Sequence, residues 1–170
     1  MSKSHKSLIA RPVFYDEALI TSVLRYGEAD SIVRLFTLKD GRVSAFYKRG
    51  FSAKKTGNVQ ALAIALVGLV KNQGRLLRIV SCDVAPSAFN LLDLKSFGYR
   101  AYLAELIEKF LPEEEPAEQI FFDLKEAYAA ILKTPCASIL RAFEVKLLDY
   151  CGYWPEISSD EVKAFDPIKI

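Results

Sequence analysis

The chain has 170 residues, 51% of them hydrophobic, with a formal net charge of +2. That length allows one large domain or two small ones sharing a core. No apolar run reaches the roughly 18 residues of a transmembrane helix, and the polar, basic start from Met1 to Lys6 lacks the apolar stretch of a signal peptide, so no membrane association and a cytoplasmic location are expected.

The small net charge hides an asymmetry. Residues 1–85 carry 14 Lys and Arg against 6 Asp and Glu, a net of +8, whereas residues 86–170 carry 9 against 15, a net of −6. A basic half beside an acidic half suggests that only one of them faces a polyanion.

In chain order, five strand-like segments come first. Ala18 to Tyr26 is rich in aliphatic and β-branched residues and ends at Gly27. Ser31 to Leu38 follows, and Lys39-Asp40-Gly41 supplies the Asp-Gly signal of a tight hairpin. Arg42 to Lys48 is the returning strand, and 50–58 is a loop by composition. Ala61 to Lys71 is a long apolar strand, Asn72-Gln73-Gly74 turns the chain, and Arg75 to Val84 completes the set. Five short strands predict a small barrel of the OB type, with an SH3-like barrel as the other reading of the same count.

After Pro86 the hydrophobic period changes from two to about 3.6 residues. Tyr99, Tyr102, Leu103, Leu106, Ile107 and Phe110 form one helical stripe, which Pro112 stops. Glu113-Glu114-Glu115-Pro116 is a solvated, charged connector. Phe121, Leu124, Tyr128, Ile131 and Leu132 form a second stripe. Thr134 and Pro135 read as an N-cap and first helical residue. Leu140, Phe143, Leu147 and Cys151 make the third stripe, closed by Gly152. The predicted class is α+β, with an N-terminal five-stranded OB-fold barrel over 1–88 and a small helical domain over 89–170.

Catalytic signatures are missing from the residues. There is no GxxxxGK[ST] loop for phosphate binding and no GxSxG elbow. The one histidine, His5, lies in the N-terminal tail, where it serves no nucleophile inside the fold. Glu28 and Asp30 flank a predicted turn and read as turn and cap groups. Cys82, Cys136 and Cys151 are too scattered for a zinc site and are expected to be buried free thiols. The expectation is a non-enzymatic protein with no metal and no cofactor.

The basic half holds the binding signal. Lys48, Arg49, Lys54 and Lys55 bracket Phe51 in the loop after the third strand. Alternation places Arg42, Ser44, Phe46 and Lys48 on one strand face. Arg34 and Lys39 lie on the neighbouring strand and its turn, and Lys71 and Arg75 flank the next turn. Cations that follow phosphates, combined with aromatic faces that stack bases, are what a single strand of nucleic acid requires.

These residues also carry a family resemblance. Tyr26-Gly27-Glu28-Ala29-Asp30-Ser31-Ile32-Val33-Arg34-Leu35-Phe36-Thr37, then Gly41-Arg42-Val43-Ser44-Ala45, precede the basic loop. Ala101 to Leu106, Leu111 to Pro116, Phe121 or Phe122 and Leu124 follow. Leu140 to Leu148 then leads to Gly152-Tyr153 and Pro155. This ordered set resembles the RecO family of bacterial DNA repair and recombination mediators. The resemblance implies an OB-fold followed by a helical domain and a nucleoid-associated protein that binds single-stranded DNA. It also implies annealing of complementary strands, contact with RecR and single-strand-binding protein, and help in loading RecA. Many members carry a four-cysteine zinc element after the Gly-Tyr-x-Pro position and further helices. Residues 156–170 hold no cysteine, so a shortened member or a fragment is expected. The other reading is a protein-interaction adaptor whose barrel has only incidental affinity for DNA.

Overall fold

The computed structural model describes residues 12–48, 59–71, 76–84 and 94–153. Among these, five strands precede three helices: β1 Phe14–Tyr26, β2 Asp30–Thr37, β3 Gly41–Tyr47, β4 Ile64–Val70, β5 Leu77–Val84, α1 Leu94–Phe110, α2 Glu118–Lys133 and α3 Ala137–Tyr150. The strands close in the order β1-β2-β3-β5-β4, with β3 and β5 parallel and every other pair antiparallel. This is the five-stranded OB-fold barrel followed by a helical domain. Closure removes the open sheet edges that would otherwise template aggregation.

β1 makes closure possible because it serves two neighbours. Its first half pairs with β4 and its second half with β2, and the register shifts between Ile20 and Ser22. Such a bulge bends the strand and raises its twist. β1 starts earlier than the sequence predicts because Asp16 and Glu17 are poor strand formers. Asp16 is nevertheless buried, and its carboxylate accepts the amides of Glu17 and Lys39, both at 2.9 Å. The β2–β3 turn is thereby tied to β1. Thr37 Oγ1 donates to the Gly41 carbonyl at 3.1 Å and accepts the Asp40 amide at 3.0 Å. β4 starts later than predicted, since Leu62 takes a left-handed φ of 66° that breaks the extended run.

Two cores result. Ala18, Ile20, Val33, Leu35, Ala45, Tyr47, Val67, Leu69, Ile79 and Cys82 fill the barrel. Leu19, Phe36 and Leu62 point out of the barrel and join Leu103, Ile107, Ile120, Phe121, Leu124, Tyr128, Phe143 and Leu147 in a core between barrel and helices. Phe36 meets Phe121 at 5.5 Å between ring centroids. Arg100, itself buried, donates to the Leu62 carbonyl and lies 4.6 Å over the Tyr128 ring.

The connector Glu113 to Glu115 keeps its side chains in solvent, as expected, but its backbone docks on the barrel. Arg42 and Glu113 form a parallel bridge, and the Glu114 amide donates to the Arg42 carbonyl at 2.8 Å. Gly41 has φ +68°, and a Cβ there would fall 1.9 Å from the Glu115 carbonyl oxygen. Two expectations are corrected. Thr134 is the C-cap of α2, with φ −152° and ψ 98°, because the residue before a proline avoids the helical region, and Cys136 is the N-cap of α3. Of the three free cysteines, Cys82 is buried, Cys151 is half-buried and Cys136 is exposed.

Candidate nucleic-acid interface

On the outer surface of the barrel, strand register sorts side chains into rows. Leu24 of β1 lies opposite Ile32 of β2, Ile32 opposite Phe46 of β3, and Phe46 opposite Arg78 of β5. The inward alternates Val33, Ala45, Tyr47 and Ile79 belong to the barrel interior, so this row faces out. One row nearer the helices, Ser22 faces Arg34 and Arg34 faces Ser44. At the far end stands Tyr26, opposite Asp30.

This half of the outer surface is not covered by the helices. Leu24 is 52% exposed and Tyr26 60%. Phe46 belongs to neither core and meets Tyr26 edge-on, with ring centroids 6.2 Å apart and planes at 83°. Two aromatic rings, set edge to face, stand with two aliphatic side chains in an apolar strip. Arg34 borders it on one flank and Arg78 ends it on β5, with Lys48 following directly after β3. Such a strip can take the faces of stacked rings while its cations meet phosphates.

The structure divides the residues expected from the sequence. Arg34 and Phe46 lie in adjoining rows of this face, and Lys48 directly follows β3. Lys39 sits at the opposite end of β2, where its Nζ approaches the Tyr15 carbonyl at 3.5 Å. Lys71 directly follows β4. Arg49, Phe51, Lys54, Lys55 and Arg75 lie outside the described residues.

Arg42 requires a correction. Its side chain is only 15% exposed, donates to the Leu111 carbonyl and pairs with Glu108 at 2.9 Å. It is a strut between barrel and helices. Alternation correctly turned it outward, but the outward face at that end of β3 lies under α1 and the connector.

Tyr26, Leu24, Ile32 and Arg78, which share this strip, are not among the residues expected from the sequence. The signal for Arg78 was present: Leu77 and Ile79 point into the barrel, so the residue between them points out. Tyr26 was read as a strand terminus because Gly27, at φ +66°, follows it. Among the described residues no group of three or more His, Cys, Asp and Glu could hold a metal ion. No described helix is long and apolar enough to cross a membrane.

A closed OB barrel with an aromatic and cationic strip, backed by a three-helix unit, defines the class of OB-fold proteins with an appended helical domain. Family comparison agrees with both halves. Residues 13–87 match the family model for the recombination protein O N terminal, and residues 91–165 match that for its C terminal. The chain belongs to the RecO family. It is 33% identical over 144 residues to a DNA repair protein RecO of Pelotomaculum thermopropionicum, covering 82% of this chain and 55% of that relative. It is 31% identical over 147 residues to the protein of that name in Alkaliphilus metalliredigens, covering 84% and 60%. With the Geobacter metallireducens protein it shares 32% over 142 residues, covering 81% and 57%. The chain thus spans somewhat over half the length of these curated relatives.

Proposed function

We propose that this chain is a non-catalytic DNA repair and recombination mediator, and that it binds single-stranded DNA on the outer strip of β1, β2, β3 and β5. The observation that carries the reading is the row Leu24–Ile32–Phe46–Arg78 with Tyr26 beside it. Half-buried Phe46 and exposed Tyr26 belong to neither core among the described residues, and they lie in the half of the protein with a net charge of +8 over residues 1–85. Bases stack on Phe46 and Tyr26, while Arg34, Arg78 and Lys48 neutralise phosphates. Lys48 also opens the basic run of the sequence through Arg49, Lys54 and Lys55, part of the positive charge of this half. Membership of the RecO family supports annealing of complementary strands, assistance in recombinase loading, and RecR, single-strand-binding protein and RecA as partners.

The test is fluorescence anisotropy of a labelled single strand, with duplex as control, at several salt concentrations. If three to four phosphates are neutralised, the log–log salt slope is about −2 to −3. Absence of single-strand binding near physiological salt would refute the reading and leave a protein-interaction adaptor in its place.

A further inference from the structure

The acidic helical domain sends one carboxylate onto the basic barrel face. Glu108 of α1 places Oε2 2.9 Å from Arg42 Nη2 and 3.6 Å from Arg34 Nη1. Its Oε1 accepts the Thr21 hydroxyl. Thr21 sits at the bulge of β1 and its hydroxyl also approaches the Arg34 carbonyl at 3.2 Å. A hydroxyl has one proton to give, and the charged carboxylate is the stronger acceptor. Glu108 is therefore anchored from below by a barrel residue and is 20% exposed.

Its two arginines are held differently. Arg42 is nearly covered and has the Leu111 carbonyl as a second acceptor. Arg34 is 52% exposed, its ion pair with Glu108 is the longer one, and its row adjoins that of Ile32 and Phe46. An exposed, long ion pair is weak and easily exchanged. A phosphate arriving at the strip is a second anion for the same guanidinium, and Arg34 can turn to it while Arg42 stays in place.

We infer that Glu108 acts as a built-in competitor for the DNA phosphate at Arg34, holding the affinity of the strip below what its cations alone would give. This rests on the single-strand-binding reading above. Its use is release: a protein that must pair one strand with another needs a surface that lets go. The carboxylate supplies the replacement counter-charge as each phosphate leaves.

The experiment is anisotropy with a labelled oligothymidylate on the full chain, comparing wild type, Glu108→Gln, Arg34→Gln and the double variant. Glutamine removes the charge and keeps one acceptor, its carbonyl oxygen for Arg42, while its NH2 can donate to the Thr21 hydroxyl oxygen. Glu108→Gln binds about threefold to tenfold tighter at low salt, and its salt slope steepens by up to about 0.7 because one more phosphate contact is made. Arg34→Gln binds more weakly, and in that background the Glu108→Gln gain disappears. An unchanged or weaker Glu108→Gln protein with a wild-type melting curve overturns the inference while leaving the DNA reading intact. A gain that persists without Arg34 overturns it too, since the charge then acts on the whole face. Should Glu108→Gln fail to fold, side-chain resonances of the wild-type arginines decide. Those of Arg34 shift on adding the oligonucleotide and those of Arg42 do not. Binding that moves neither overturns the inference, and no binding by wild type or variant removes both readings together.

Discussion

The two ends of the barrel's outer surface are built from the same three strands and serve opposite purposes. Toward the β2–β3 turn, Leu19, Phe36 and Arg42 face outward and disappear under α1, α2 and the 113–115 connector. Toward the other end, Leu24, Ile32 and Phe46 occupy the same face of the same strands and the helices do not cover them. An apolar outer residue therefore means two things here, a buried joint or a surface the helices leave uncovered. Polarity along a strand cannot separate them. What separates them is the reach of a helical domain that touches only half of the face.

The strongest way to break the comparison is to truncate matched phenylalanines. Phe36 is fully buried against Phe121. Phe36→Ala should lower stability by about 3–5 kcal/mol through lost burial and the cavity left behind. Phe46→Ala should cost only about 1 kcal/mol of stability, mainly through its edge contact with Tyr26. Urea denaturation of both variants checks this, and equal losses would mean that the open end is a core in disguise.

Next comes the joint itself. Gly41→Ala places a Cβ against the Glu115 carbonyl at a backbone angle that L-residues avoid. The connector must lift from β3, with loss of the Glu114–Arg42 backbone bond. We expect about 3 kcal/mol of destabilisation from strain and displaced contacts combined. Hydrogen exchange should show the loss concentrated at the Glu114 amide, while amides of the β4–β5 pair stay protected.

The open end is sharpened by ligand rather than by denaturant. Phe46→Ala and Tyr26→Ala should each weaken single-strand binding by about 1–3 kcal/mol with little change in salt slope, since stacking involves no counterions. Arg78→Ala should instead flatten the slope by about 0.7. Anisotropy across a salt series separates the two effects. A slope change in the aromatic variants would mean that the rings position phosphates rather than bases.

Much of this architecture was legible in the residues. The period-two runs located all five strands, Asp40-Gly41 marked the hairpin, and the stripes through Leu103, Leu124 and Phe143 marked the helices. What could not be read was the consequence of closure. The bulge at Thr21 and the left-handed turn at Leu62 depend on partners far along the chain. So does the burial of Asp16, which looks like a surface carboxylate until the Lys39 amide arrives at it. On the strip proposed for DNA, Phe46, Arg34 and Lys48 were legible as candidates because composition marks them. Arg78 was not, because its place beside Phe46 comes from the parallel β3–β5 pairing, a contact between strands that are not consecutive. Arg42 was misplaced for the converse reason: its own strand gives its direction, and a different domain covers it.

The smallest effect concerns the two kinds of cysteine, one in the barrel core and one on the helical surface. Burial, reinforced by the Asp83 carboxylate, pushes the Cys82 thiol up to about 11. Its folded pKa thus lies above the unfolded value of about 8.5, so the folded state holds the proton more tightly. The associated stability is fully present below about pH 8.5 and is lost as pH rises toward 11. Between pH 7.5 and 9.5 the wild-type chain should lose about 1 kcal/mol more than Cys82→Ala, measured by urea denaturation at both values. Cys136 goes the other way, because the Ser138 hydroxyl bonds to its sulfur at 2.9 Å and lowers its pKa on an exposed surface. Iodoacetamide at pH 7.5 should therefore alkylate Cys136 first and Cys82 last, as read by peptide mass spectrometry. Early labelling of Cys82 in the native protein would mean that the barrel opens on the time scale of the reaction. That would place it, rather than the helical domain, at the low end of local stability.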